Sequence, residues 1–216
     1  MIGYLAQQIG SLDPYANSLA VWDFENNYSD STPNGYNLTV NNSVPFSTTN
    51  GVVHGVRSVG PFAGNALNAT VGNSLIGTSG WTIEGYFETG STVAQYVLCA
   101  GGTVGDHIAV YFYLGTLALI IDDTVRINST AISINTKYYF AVKSTASNSI
   151  SLYWNLASDA SATLIGTWTG AGDGNFPANG QVLLGANAWS PAVQAYGGYL
   201  DYVRVSNIAR TSLPSA

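Results

Sequence analysis

The feature that most constrains this chain is its alternation. Trp81, Ile83, Gly85 and Phe87 alternate with Thr82, Glu84, Tyr86 and Glu88. Ile108, Val110, Phe112 and Leu114 alternate with His107, Ala109, Tyr111 and Tyr113, and Ile150, Leu152 and Trp154 with Ser151, Tyr153 and Asn155. A period of two puts successive side chains on opposite faces of a strand, so each run reads as a strand with one apolar face. Turn residues punctuate the runs: Asn34-Gly35, Gly101-Gly102, Asp122-Asp123, Asn148, Gly170 to Gly174 and Asn179-Gly180. No helical period appears after residue 17. The pattern predicts an all-β fold, two antiparallel sheets packed as one sandwich.

Length agrees, because 216 residues is within the roughly 200–250 that a single sandwich can reach. Residues 1–17 differ from the rest. Ile2, Leu5 and Ile9 have helical spacing and Asp13-Pro14 breaks it, so a short helix or N-terminal arm is expected there, with the sandwich over 18–216. Such an arm would cover the domain's own core or dock on a neighbour.

Charge narrows the partners. Only 8% of residues are charged and the net charge is −6. Lys137, Lys143, Arg57, Arg126, Arg204 and Arg210 are scattered, so no basic stripe exists to neutralise phosphates. Nucleic acid is not an expected partner. Membrane insertion is not expected either, since no stretch approaches about 20 apolar residues. The first basic residue is Arg57, and Gln7, Gln8 and Asp13 interrupt any apolar leader. Cys99 stands alone in an apolar run and is expected to be buried and inert.

Several motifs in order then resemble the laminin-G-like and concanavalin-A-like jelly-roll family. Leu19 to Phe24, followed by Asp30 and Asn34-Gly35, resembles its opening strand and loop. Phe62-Ala-Gly-Asn-Ala-Leu67, Trp81-Thr-Ile-Glu-Gly-Tyr86, Ser151-Leu-Tyr-Trp-Asn155 and Gln181-Val-Leu-Leu-Gly185 resemble successive internal strands. Gly197 to Arg210 resembles the closing strand. The resemblance implies a concanavalin-A-like sandwich over about residues 18–212, a fold that serves many functions.

Candidate sites follow. Asp201, read by alternation, shares a face with Val203 and Val205, where a carboxylate must be paired, hydrogen-bonded or metal-bound. Some members of the family hold a structural Ca²⁺ near the opening loop, so the resemblance implies a possible Ca²⁺ site at Asp30 and Asp201. Trp189 and Tyr196 lie in the Ala186–Gly197 loop and are candidate ligand-binding rings. Tyr111, Tyr113 and Tyr153 are candidates for one aromatic platform. Glu84 and Glu88 share a strand face and read as solvated; nothing beside them matches a glycosidase acid pair. His54 and His107 are isolated, and no nucleophile elbow or phosphate loop occurs.

The expected function is therefore non-catalytic binding or packing. One reading is a virion structural or adhesive protein, a bacteriophage head-decoration or fibre component, partnered by other virion proteins or further copies of itself. It would be made in the cytoplasm without a signal peptide and end on the virion surface. The alternative is an extracellular, carbohydrate-binding lectin module whose partner is a cell-surface glycan; a glycoside hydrolase is the remote one.

Overall fold

A computed structural model describes residues 15–41, 43–71, 79–91, 93–103, 105–171, 174–177, 180–187 and 194–214. The predicted helix or arm falls almost wholly outside them; residues 15–17 form a turn. Among the described residues there is no helix. The strands are β1 (Ser18–Trp22), β2 (Thr39–Asn41), β3 (Phe46–Ser47), β4 (Ser58–Val59), β5 (Ala66–Thr70), β6 (Thr82–Glu88), β7 (Gln95–Thr103) and β8 (Asp106–Tyr113). They continue as β9 (Thr116–Ile121), β10 (Thr124–Ala131), β11 (Lys137–Ala146), β12 (Ser149–Leu156), β13 (Thr163–Thr169), β14 (Gln181–Leu184) and β15 (Tyr199–Ser206).

They build the expected two sheets, with every pairing antiparallel. Sheet A runs β13-β12-β11-β6-β15-β4-β3, with β1 also on β15. Sheet B runs β10-β9-β8-β7-β14-β5-β2. The chain changes sheet on either side of β2, on either side of β5, between β6 and β7, between β10 and β11, and on either side of β14. That connectivity is what makes sequence-distant strands neighbours.

The alternating apolar residues meet between the sheets. Trp22, Trp81, Phe87, Phe112, Phe140 and Leu152 lie in one core cluster, all buried. Two of them carry polar atoms that need partners. Trp22 Nε1–H donates to the Tyr36 carbonyl at 2.8 Å and Trp81 Nε1–H to the Gly174 carbonyl at 3.0 Å. Trp154 packs against the core from its margin. Leu114, read as the end of a strand, instead turns: Leu114 (φ 49°) and Gly115 (φ 81°) join β8 to β9. Asp122 (φ 48°) and Asp123 (φ 61°) join β9 to β10. Two successive positive-φ residues match the right-handed twist of a hairpin.

Gly185 leaves β14 at φ +80°, and an added Cβ would stand 2.1 Å from Phe62 Cδ1. Gly185→Ala combines left-handed strain with a clash against a buried ring. It is expected to cost about 2 kcal/mol or more, read as a shift of the urea midpoint; a midpoint within error of wild type would contradict this packing.

The closing strand breaks alternation. Asp201 pairs with Tyr86, but the next partners are Arg204 and Glu84, so the β15–β6 register slips between them. Tyr202 sits there with φ 45°. This bulge adds one residue, bends the strand and reverses the phase. Leu200, Val203 and Val205 face the core, whereas Asp201 does not join them. Asp201 is on the outer side of sheet A with Tyr86, Glu84 and Arg204. The sequence-based assignment of Asp201 to the Val203/Val205 face is thus corrected by the bulge.

Candidate functional site

The ends of three central strands of sheet A create a cleft. Glu88, at the end of β6, pairs with Lys137 at the start of β11 and with Tyr199 at the start of β15. These residues are brought together from three distant parts of the chain. Glu88 is buried, not solvated as the sequence suggested. One carboxylate oxygen accepts the Gly51 N–H at 2.8 Å, and its backbone carbonyl accepts the Tyr196 hydroxyl at 2.8 Å.

The loop from Asn50 to Arg57 is strapped across this end by side chains. Lys137 Nζ donates to the Val52 carbonyl at 2.7 Å. Asp201 Oδ2 accepts the N–H groups of Val53 and His54, each at 2.6 Å. Glu25 Oε1 accepts those of Val56 at 2.8 Å and Arg57 at 3.2 Å. Carboxylates thus supply acceptors that no strand supplies to these amides. Asn50 is exposed, and its amide donates to the Tyr199 hydroxyl at 3.1 Å.

A cavity of about 580 Å³ opens here, lined by Asn50, Pro61, Glu88, Gly90, Asn135, Gly197 and Tyr199. It adjoins a second of about 510 Å³ through Asn135, lined also by Val52, Val53, Thr136, Lys137, Leu156, Ala157 and Ser158. The first wall offers amides, a phenol and a carboxylate. The second offers aliphatic side chains beside hydroxyls. Such a combination can accept and donate hydrogen bonds to a polyhydroxyl ligand while covering its apolar patches. Among the described residues Glu88 is the one carboxylate in either lining. Glu84, its neighbour on the strand, is buried in a separate network and lines neither cavity.

The rings singled out from sequence are dispersed. Tyr111 and Tyr113 lie on the outer face of sheet B with Tyr96; the Tyr96–Tyr111 centroids are 4.6 Å apart and Tyr111–Tyr113 6.1 Å. Tyr111 is buried, and desolvation pushes its phenol up to about 12. Tyr113 is 40% exposed. Tyr153 lies on the outer face of sheet A, beneath the Lys143 ammonium. Opposite sides of the sandwich cannot form one platform, so that expectation is corrected. Tyr196 is not a loop-surface ring: it is wholly buried in the core beside Phe62, 6.1 Å between centroids. Trp189 lies outside the described residues.

The two aspartates do not share a cage. Asp30 Oδ1 accepts the N–H groups of Val21 (3.0 Å) and Thr32 (2.9 Å). Its Oδ2 accepts the Thr32 hydroxyl (2.8 Å) and the Tyr36 N–H (2.9 Å). Asp201 holds a different loop. Among the described residues no group of three or more His, Cys, Asp or Glu is placed for a metal ion. The donor set does not fit the Ca²⁺ site implied by the resemblance: the two carboxylates hold different loops, and N–H and hydroxyl donors take both oxygens of Asp30 and Oδ2 of Asp201. Cys99 is buried as expected, on the outer face of sheet B.

Comparison with known proteins begins with two negatives: no family model matches the chain, and no curated protein matches its sequence. Solved structures do match in shape. The fourth domain of AbnA, a GH43 extracellular arabinanase from Geobacillus stearothermophilus, solved in complex with arabinotriose, superposes with a TM-score of 0.71. The match is at 15% identity and covers 90% of this chain and 94% of that one. The fold is a jelly-roll β-sandwich. The binding domain of Paraclostridial Mosquitocidal Protein 1 gives a TM-score of 0.68 at 13% identity, over 92% of this chain, which spans half of the other. The botulinum neurotoxin serotype D binding domain gives 0.63 at 10% identity, over 90% of this chain and 49% of the other. At such identities the likeness is one of fold, and it leaves the resemblance to laminin-G-like domains as a likeness of architecture.

Proposed function

We propose that this β-sandwich is a non-catalytic recognition module that binds a carbohydrate, free or on a receptor, in the end cleft. One observation carries the reading. Asn50, Glu88, Asn135 and Tyr199 converge on a cavity of about 580 Å³ that continues into a partly apolar neighbour. Amides on loops, with a carboxylate and a phenol on strand ends, are the chemistry that sorts sugar hydroxyls. A jelly-roll neighbour solved with arabinotriose and two others that are binding domains lend the same support. The non-catalytic part rests on a single carboxylate, because hydrolysis of a glycosidic bond uses two.

The test is a glycan array followed by titration of the strongest oligosaccharide. Asn50→Ala combined with Tyr199→Phe removes two hydrogen-bonding groups that also bond each other. It is expected to weaken binding about tenfold or more with little change in melting temperature. Unchanged affinity would remove the cleft from the account, and release of reducing ends by the wild type would remove the non-catalytic part.

Display on a virion surface, in contact with other virion proteins or further copies, is a narrower proposal. It rests on a surface poor in lysine and rich in Asn, Ser, Thr and Gly, and failure to find the protein in purified particles would sink it.

A further inference from the structure

The outer face of sheet A holds a third cavity, whose lining shares no residue with the two of the end cleft. It has a volume of about 380 Å³, and Lys143, Tyr153, Ser161, Thr211 and Ser212 lie in its wall. Among the described residues Lys143 is the one cation in that wall. Its ammonium is positioned rather than loose. Nζ donates to the Arg210 carbonyl at 3.2 Å and stands 4.8 Å from the centre of the Tyr153 ring. Neither partner neutralises it. The ion pairs among the described residues involve His107, Arg204 and Arg210, and none involves Lys143. A Lys ammonium carries three donors, so the carbonyl leaves donors available to the cavity. Ser161, Thr211 and Ser212 are exposed hydroxyl residues beside it.

A fixed positive charge among hydroxyls, against an aromatic ring, suits an oxyanion carried on a polyhydroxyl body. We infer that this cavity is a second binding site, for the single carboxylate or sulfate group of an acidic sugar. The ammonium takes the oxyanion as a point charge, the hydroxyls take the sugar oxygens, and the ring supplies an apolar wall. The single charge is part of the assignment. One cation neutralises one anion, and a net charge of −6 repels a polyanion from a distance. The inference rests on the carbohydrate reading but not on the end cleft.

Three probes separate the sources of the charge: a neutral oligosaccharide capped by one glucuronate, its methyl ester, and the same oligosaccharide bearing one sulfate instead. At least one charged probe is expected to bind the wild type about tenfold or more tighter than the ester, which removes the charge and adds one methyl group. Lys143→Gln should abolish that preference and Lys143→Arg should restore part of it. Asn50→Ala with Tyr199→Phe should leave the preference intact, so failure at the end cleft and failure here are distinguishable. Equal binding of charged probes and ester, no binding of either charged probe, or a preference that survives Lys143→Gln would overturn the inference. If Lys143→Gln does not fold, the comparison of charged probes with ester on the wild type still decides.

Discussion

Glu84→Ala is expected to destabilise the protein by about 3–5 kcal/mol, the cost of removing one partner from a buried ion pair. Glu84 is 1% exposed and Arg204 2%. Glu84 Oε1 lies 3.9 Å from Arg204 Nη1 and 3.7 Å from Arg210 Nε, and Oε2 accepts the Tyr139 hydroxyl at 2.5 Å. Arg204 also donates to the Tyr202 hydroxyl. One carboxylate therefore faces two guanidinium groups, Arg204 buried beside it and Arg210 partly exposed. Their neighbourhood shows in the titration of the members. Burial, then the Arg204 charge, pushes the Arg210 guanidinium down; burial, then the Glu84 charge, pushes the Tyr139 phenol far up. Without Glu84 the buried Arg204 charge is left beside a second cation with no carboxylate to offset it. At about 2–4 °C per kcal/mol for a chain this long, the melting temperature should fall by roughly 10 °C. Tyr139→Phe removes only one hydrogen bond, to a carboxylate, and should cost about 1.5–3 kcal/mol. A loss below about 1 kcal/mol for Glu84→Ala would mean that water reaches the network and that the pairing is of the weak surface kind.

The second large effect concerns pH. Asp201 is wholly buried, and desolvation raises its carboxyl from 3.8 to about 7 despite the hydrogen bonds from His54 and Val53 that favour the anion. Among the described residues its Oδ1 has no hydrogen-bond partner. A carboxyl whose folded pKa lies above its unfolded value binds its proton more tightly when folded. Its contribution is then fully present below about pH 4 and is lost as pH rises through about 7. The shift sets a ceiling of about 4 kcal/mol, at 1.36 kcal/mol per unit. Other carboxylates impose the opposite slope, so the comparison with Asp201→Asn isolates the effect. Asparagine keeps a carbonyl for the Val53 and His54 amides and cannot ionise. Denaturant midpoints measured from pH 4 to pH 8 should show the wild type losing stability relative to Asp201→Asn as pH rises. A difference that stays flat, or grows in favour of the wild type, would mean that the loop amides hold the anion better than burial penalises it.

Much of the architecture could be read from residues because alternation is a local signal. Trp81 to Glu88 announced a strand with one apolar face, and the structure buries Trp81, Ile83 and Phe87 between the sheets. Asp122-Asp123 announced a turn and makes one. Where the reading failed, the cause was non-local. The bulge at Tyr202 inserts a residue with no glycine to mark it, and the phase of Asp201 reversed. Tyr196 sits among Ala, Gly and Pro, which reads as exposed loop. In the fold its N–H donates to the Gly185 carbonyl at 2.8 Å and its ring closes the core. Glu84 and Glu88 fell on a polar strand face that reads as solvated, but the outer side of sheet A is covered by the segments around Gly51 and Arg210.

The cleft was the least legible feature. It joins Asn50, Glu88, Asn135 and Tyr199, residues from loops and strand ends that only the sheet order brings together. In a chain whose surface is made of Asn, Ser, Thr and Gly, no composition marks these four out. Aromatic loop residues draw attention in sequence, but polar loop residues of a common type do not.

The central claim is that ligand enters the end cleft, and it is tested most directly by where binding is felt. Backbone amide NMR shifts should be followed while the best oligosaccharide from the array is titrated in. Saturable shifts should concentrate at Asn50, Gly90, Asn135, Gly197 and Tyr199. Shifts confined instead to Tyr111 and Tyr113 on the outer face of sheet B, or none at saturating ligand, would contradict the account.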